Sequence, residues 1–283
     1  MYQAGLVLEG GGMKGMYTCG VLEFFLEKGI MFSHCYGVSA GACHMCSYLS
    51  GQKRRAYHVG VDYLDCRDYC STRSLLRTGD LFNKDMCYEL IPDYLNPYDY
   101  DAFNRYEGKA YAVVTNIVSG RAEYLQLRDM KKDIEMIRAS CSLPLVSRNV
   151  KIGNQLYLDG GLSDSIPIRK SIQDGNQKNV VIMTKEMGYH KEKSSALKLI
   201  KLAYLKYPKV YELMKNRHIS YNETLDYLKE QEDCGRAFVI RPKTKSSVGR
   251  IEKNKEKLTV LYEQGYHEAE EKYEALLAYL EES

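Results

Sequence analysis

The stretch LVLEGGGMKG (Leu6 to Gly15) carries an apolar run straight into a glycine cluster, and what that loop is built to hold decides the fold. Ala4 to Leu8 is short, apolar and glycine-bounded, as a buried parallel strand is, and from Lys14 to Lys28 apolar residues recur at helical spacing. Gly10, Gly12 and Gly15 satisfy GxGxxG, the dinucleotide fingerprint, but that fold wants an acidic residue about 20 positions on, at the end of its second strand. Here that place holds Gly37-Val38-Ser39. A P-loop wants Lys and then Ser or Thr after its last glycine, and Met16 follows Gly15. The remaining reading is a backbone that presents several N–H groups to a small oxyanion.

Outward from this loop the alternation continues. Phe32 to Val38 reads as a second strand and Ala40 to Leu49 as a helix that starts at once after it, a pattern that predicts an α/β fold of three layers, with a mostly parallel central sheet covered by helices. Arg54 to Tyr106, rich in Tyr, Asp and Arg and broken by Pro92 and Pro97, reads as a helical insertion. Lys109 to Val118 and Ala122 to Leu127 read as strands joined in a hairpin at Ser119-Gly120; Met130 to Ser140 is helical; Gln155 to Leu158 is a short strand ending at Asp159-Gly160-Gly161. Pro167 opens another helix and Asn179 to Thr184 is a further buried strand. Beyond Lys185 the chain is Lys-rich, Tyr-rich and helical, with one isolated strand candidate at Ala237 to Ile240. The expected organisation is a core over 1–185 and a mainly helical extension over 186–283, packed on the same domain.

Composition narrows the function classes. The 283 residues, 45% hydrophobic, furnish a sizeable core, and a net charge of +3 without clustered basic motifs argues against a nucleic-acid partner. Glu9, Lys14, Glu23, Glu27 and Lys28 interrupt the first thirty residues, so no signal peptide is expected, and no apolar run reaches the roughly 18 residues of a membrane span. A soluble, cytoplasmic protein is the expectation, with contact to a bilayer only from outside. The nine cysteines then read as reduced thiols. Cys43 and Cys46 form a CxxC that with His44 suggests zinc, but no second pair stands at finger spacing; these two, and Cys66 and Cys70 one helical turn apart, read as small apolar fillers on buried helix faces.

The chemistry concentrates at GVSAG, Gly37 to Gly41. A strand ending at Val38 and a helix starting near Ala40 make this GxSxG a nucleophile elbow, in which Ser39 occupies a strained turn and a side chain at Gly37 or Gly41 would collide with neighbouring backbone. A serine hydroxyl needs a base. Asp159, at a strand end and followed by glycines, is the candidate, although alone it reads first as a turn aspartate. The amides of Gly10, Gly11 and Gly12 would meet the oxyanion, such donors being worth about 3 kcal/mol each in the transition state. Lys14, inside the loop, is either a contact for a substrate anion or a structural salt bridge.

Together GGGMKG at Gly10 to Gly15, GVSAG at Gly37 to Gly41 and DGG at Asp159 to Gly161, in that order, resemble the patatin-like phospholipase family over roughly Leu6 to Thr184. The resemblance implies a Ser39/Asp159 dyad without histidine, an oxyanion hole at Gly10 to Gly12, hydrolysis of lipid acyl esters, and no metal or organic cofactor. SCSLPL, Ser140 to Leu145, resembles the family's site-lining segment, and Ser147-Arg148 follows where many members have apolar residues or proline. Two alternatives stand beside it. A His-dependent α/β-hydrolase esterase would use the order Ser, Asp, His, which His190, His218 or His267 satisfies. A non-catalytic lipid-binding protein would keep the cradle without turnover.

Between Lys185 and Arg217 nine Lys or Arg stand against three Glu, with an apolar helical stripe through Ala196, Leu199, Ile200, Ala203, Tyr207, Val210, Tyr211 and Met214 and lysines opposite. Pro208 is expected to kink or divide it, and the stretch 185–217 reads either as a patch for peripheral contact with an anionic membrane or as a helix packed on the sheet with a solvated lysine face.

Overall fold

In the computed structural model, which describes residues 1–282, the apolar run of the opening motif becomes β1 (Tyr2–Leu8), buried from Ala4 to Leu8. It reads as continuous hydrophobic sequence because it lies between two parallel neighbours with both faces covered. Those neighbours are β2 (Phe32–Val38) and β7 (Asn179–Ile182). The other strands are β3 (Lys109–Asn116), β4 (Ala122–Leu127), β5 (Val150–Ile152), β6 (Gln155–Asp159) and β8 (Ala237–Ile240). The eight-stranded sheet runs β5-β6-β3-β2-β1-β7-β8, with β4 also on β3. From β3 to β8 the neighbours are parallel; β4 and β6 meet β3 antiparallel, as β5 meets β6.

The register on β3 sets up the site. Val113 pairs with Tyr124 of β4 on one edge and with Val38 of β2 on the other. Val114 pairs with Glu123 of β4 and with Asp159 of β6. Since β4 occupies one edge throughout, β2 and β6 share the other edge end to end. One strand finishes at Val38 and the other, running against it, at Asp159, so their last residues oppose adjacent residues of β3.

Several expectations need correction. Pro92 does not break the insertion: it lies inside a wide π-type helix, Met86–Leu95, whose shifted bonding accommodates a residue without an N–H, and the helix stops before Pro97. Cys66 and Cys70 are not on a helix face, because the helix Arg55–Val61 has already ended and Cys70 bridges to Phe82. The strand β5 was not foreseen; at three residues it shows no periodicity. The isolated candidate Ala237–Ile240 is an edge strand of the main sheet, parallel to β7. Pro208 divides the basic stretch, as expected, into helices Leu197–Ala203 and Pro208–Asp233, but Leu199 and Ala203 face outward where the stripe placed them inward.

The helix Lys255–Glu271 packs against Met16–Glu27 at near-backbone contact. A Cβ on Gly20 would stand 1.9 Å from the Tyr262 carbonyl oxygen, and one on Gly265 would stand 2.1 Å from that of Tyr17. Tyr17 donates its hydroxyl to Glu268 Oε2 at 2.7 Å across the same seam. Gly20→Ala is expected to destabilise the chain by about 2 kcal/mol or more, since backbone has to move. Urea unfolding of the variant measures this; an unchanged midpoint would contradict the close crossing.

Candidate active site

Ser39 sits at φ 54°, ψ −125°, a left-handed conformation rare for a residue with a side chain and costing about 1–3 kcal/mol. Its neighbours make the turn possible. A Cβ on Gly37 would fall 2.5 Å from Ala42 Cα, and one on Gly41 would fall 2.7 Å from the Leu8 carbonyl oxygen. The turn is pinned from outside as well: the Ser39 amide donates to Ser140 Oγ at 2.9 Å, and that hydroxyl donates to the Val113 carbonyl at 2.7 Å.

The glycine loop lies directly against this serine. A Cβ on Gly10 would stand 3.0 Å from both Ser39 Cβ and the Val38 carbonyl oxygen. Gly12 is at φ +59°, and its Cβ would strike the Arg250 carbonyl oxygen at 2.5 Å, so both conformation and space require glycine there. Among the described residues the amides of Gly10, Gly11 and Gly12 donate no hydrogen bond. The loop is braced from β7's end: Thr184 donates its amide (2.6 Å) and hydroxyl (2.9 Å) to the buried Glu9 carboxylate, with the hydroxyl also near the Gly10 carbonyl at 3.2 Å.

Asp159 is 1% exposed. Its amide donates to the Ser142 carbonyl at 2.8 Å and its Oδ1 accepts the Gly161 amide at 2.8 Å, while Oδ2 is buried without a partner among the described residues. Burial pushes this carboxyl above the usual range, opposed by the Ser39 hydroxyl, the Arg217 guanidinium and the Gly161 amide. The serine hydroxyl thus lies beside the carboxyl without closing a hydrogen bond to it, as catalytic contacts often do before substrate arrives. Arg217 is held next to Asp159 by a bond from its Nε to the Gly161 carbonyl.

Ser39 opens into a cavity of about 510 Å³ with largely apolar walls. The helical insertion contributes Tyr88 and Ile91, the helix Met130–Cys141 contributes Ile137, and the segment after it contributes Leu143 and Leu145. Cys43 and Cys141 meet on the wall with sulfurs 3.3 Å apart. Ser147 also lines the cavity; Arg148 bonds instead to Asp80 and Thr78 of the insertion.

The remaining candidates scatter. Lys14 is half-buried beside Lys185 and lines neither this cavity nor the polar one next to it. Among the described residues no histidine bonds to Ser39 or Asp159: His190 meets Asn222, His267 meets Glu270, and His218 leaves Nδ1 unpaired. His44 lines the cavity, and burial lowers its pKa to about 4. No group of three or more His, Cys, Asp or Glu is placed to hold a metal among the described residues. Sequence reasoning missed Ser140 as the anchor of the elbow and Arg217 as Asp159's neighbour. Ser140 stood within a quoted motif, whereas Arg217 lies in a 26-residue helix with no local signal.

A strained serine elbow under a glycine loop, at the end of a parallel strand, defines the class as an α/β protein built on a nucleophile elbow. A family model described as Patatin-like phospholipase matches residues 6–171, more than half of the chain, and the chain belongs to that family. A second model, a domain of unknown function (DUF6363), matches 207–281. The protein YjjU of Escherichia coli (strain K12), described as uncharacterized, is 31% identical over 183 residues, which cover 63% of this chain and 51% of YjjU. The chain thus spans about half the length of that relative. A protein of Invertebrate iridescent virus 6 described as probable lipid hydrolase 463L is 23% identical over 192 residues, covering 63% of this chain and 66% of the viral one. The crystal structure of VipD from Legionella pneumophila aligns with 97% of this chain and 67% of its own at a TM-score of 0.52 and 13% identity, a likeness of fold.

Proposed function

We propose that this protein hydrolyses acyl esters of lipids, with Ser39 as nucleophile, Asp159 as its base and the amides of Gly10, Gly11 and Gly12 as the oxyanion hole. The observation that carries the reading is the buried, unpartnered Oδ2 of Asp159, on a strand that ends beside Ser39's own strand on the same edge of β3. Family membership and a relative described as a probable lipid hydrolase support it.

The steps follow from these groups. Ser39 Oγ attacks the ester carbonyl carbon while its proton passes to Asp159, and the carbonyl oxygen takes the negative charge among the unpaired glycine amides. The intermediate collapses, the C–O bond breaks, and the alcohol leaves with the proton from Asp159. Water, deprotonated by Asp159, then attacks the acyl-serine, releasing the fatty acid and returning the proton to Ser39. The acyl chain occupies the apolar cavity. Purified protein incubated with a lysophospholipid or a monoacylglycerol is expected to release free fatty acid. Absence of release from every acyl ester offered, with lipid still bound, would favour a binding protein with an idle cradle.

A lipid surface also explains the mouth of the cavity. Leu199 and Leu202 on the helix Leu197–Ala203 and Leu205 in the turn after it are 63%, 70% and 71% exposed, interleaved with exposed Lys198, Lys201 and Lys206, and the same helix supplies Ile200 to the cavity wall. Among the described residues no helix is long and apolar enough to cross a membrane, so the contact is peripheral in this reading. Replacing the three leucines with serine is expected to weaken binding to anionic vesicles about tenfold or more in a flotation assay; unchanged flotation would remove this helix from the membrane contact.

A further inference from the structure

We propose that the C-terminal segment builds a second subsite next to the acyl cavity, a cationic pocket for the phosphate group of an acyl substrate, with Lys191, Arg217 and Arg250 as its ligands. The inference rests on the lipid-esterase reading above and extends it to the class of headgroup.

A second cavity of about 620 Å³ adjoins the first, and Ser194, Met214, Arg217 and Arg250 line both. Its character is opposite. Lys191, Lys193, Lys245, Arg217 and Arg250 line it, with His190 and His218, against only Glu186 and Glu192. The walls come from the segment after β7, from the helix Pro208–Asp233 and from the loop that also carries the Gly12 contact. All lie beyond residue 171, where the patatin-like match ends.

Lys191 is the informative residue. It is 8% exposed, yet among the described residues its ammonium enters no ion pair and donates no hydrogen bond. Its Nζ lies 4.5 Å over the Tyr221 ring. The backbone is clamped on both sides by Asn222, which accepts the Lys191 amide at 2.8 Å and donates to its carbonyl at 3.1 Å. Arg217, Arg250 and Lys185 are likewise outside every ion pair among the described residues. Glu9, the carboxylate that acts on Lys191, is already engaged by Thr184 and by the Tyr221 hydroxyl. Burial and the neighbouring cations lower Lys191 to about 7 and Lys185 to about 8.

An ammonium on a buried side chain, with like-charged neighbours and the carboxylate of Glu9 already engaged, is a costly arrangement to leave empty. A phosphate resolves it, because its oxygens accept from a guanidinium fork and from an ammonium together, and its charge offsets several cations. Position selects the source. Arg217 is anchored on the Gly161 carbonyl beside Asp159, so an anion at Arg217 lies on the side of the reacting groups, as the phosphate of a glycerol-based lipid lies a few bonds from its ester.

The test uses the full chain carrying Ser39→Ala, with calorimetry on palmitoyl lysophosphatidic acid, monopalmitoylglycerol and glycerol phosphate. The lysophosphatidic acid is expected to bind at least about tenfold more tightly than the uncharged lipid, and added Lys191→Met to remove most of that preference. Glycerol phosphate is expected to bind far more weakly than the lysolipid; equal affinity would mean that the pocket takes a free phosphate and would overturn its assignment to the substrate. A preference that is absent, or that survives both Lys191→Met and Arg250→Ala, overturns the pocket. In the turnover assay, hydrolysis by the Ser39 enzyme with no preference for the phosphate-bearing lipid sinks the pocket alone, whereas binding preference without hydrolysis by the Ser39 enzyme sinks the esterase reading alone. Stability separates a ligand role from a structural one. Without anion, Lys191→Met is expected to melt at or above the parent temperature, and inorganic phosphate is expected to raise the melting point of the parent but not of the variant. A variant that melts lower and still responds to phosphate contradicts the proposal.

Discussion

Ser39→Ala is expected to reduce ester hydrolysis by at least about 10³-fold while leaving the fold intact. The substitution removes one oxygen from a side chain that closes no hydrogen bond through that oxygen among the described residues, so packing loses almost nothing. The backbone device that holds the elbow also survives, since Ser140 Oγ grips residue 39 through its main-chain amide. A steady-state assay with a p-nitrophenyl ester, together with a thermal melt, measures both quantities. Retained turnover in a well-folded variant would mean that another group attacks the ester.

Asp159→Asn is expected to have an effect of similar size on hydrolysis and, unlike Ser39→Ala, to raise stability at neutral pH. Asparagine keeps an oxygen for the Gly161 amide but cannot take the serine proton, so kcat falls by about 10³-fold. The wild-type carboxyl has its pKa raised by burial, and the base works only when ionised. Activity is therefore lost as pH falls through a value above the ordinary carboxylate range, and the variant lacks that limb. For stability, the native state holds this proton over a window in which the unfolded chain has released it, so the contribution of Asp159 grows less favourable as pH rises through that window. At neutral pH the variant is expected to melt above the wild type. A pH-rate profile without an acidic limb, or a variant that melts lower at neutral pH, would contradict the assignment.

The parts of this site that could be read in advance are those whose chemistry is local. Strained turns leave glycines at fixed offsets, so Gly37, Ser39 and Gly41 announced an elbow, and the amphipathic or buried runs on either side located β2 and its following helix to the residue. The glycine loop announced itself in the same way. What the sequence did not carry was register. Asp159 could be placed at a strand end, but not the direction of that strand: β6 runs antiparallel to β3 and reaches Ser39 because β2 stops at Val38 and leaves β3's edge free. Nothing within either segment encodes that handover.

The C-terminal third was harder still. Ala237–Ile240 could be recognised as a strand but not as the sheet's last one, because its partner lies more than fifty residues earlier. Pro208 marked the division of the stretch from Ala196 to Met214, but a single apolar stripe drawn across both pieces placed Leu199 inward, and it faces outward on the first of the two helices. The cations of the second cavity, from three separated stretches, could be counted in the sequence but not assembled.

Trapping the covalent intermediate tests the central claim most directly. Protein quenched in acid during turnover of a slowly deacylating ester, then digested and analysed by mass spectrometry, is expected to carry the acyl group on the peptide containing Ser39, at that hydroxyl, and to carry none when Asp159 is asparagine. An acyl group found instead on a cysteine or histidine, or full turnover with no acylated peptide, would contradict it.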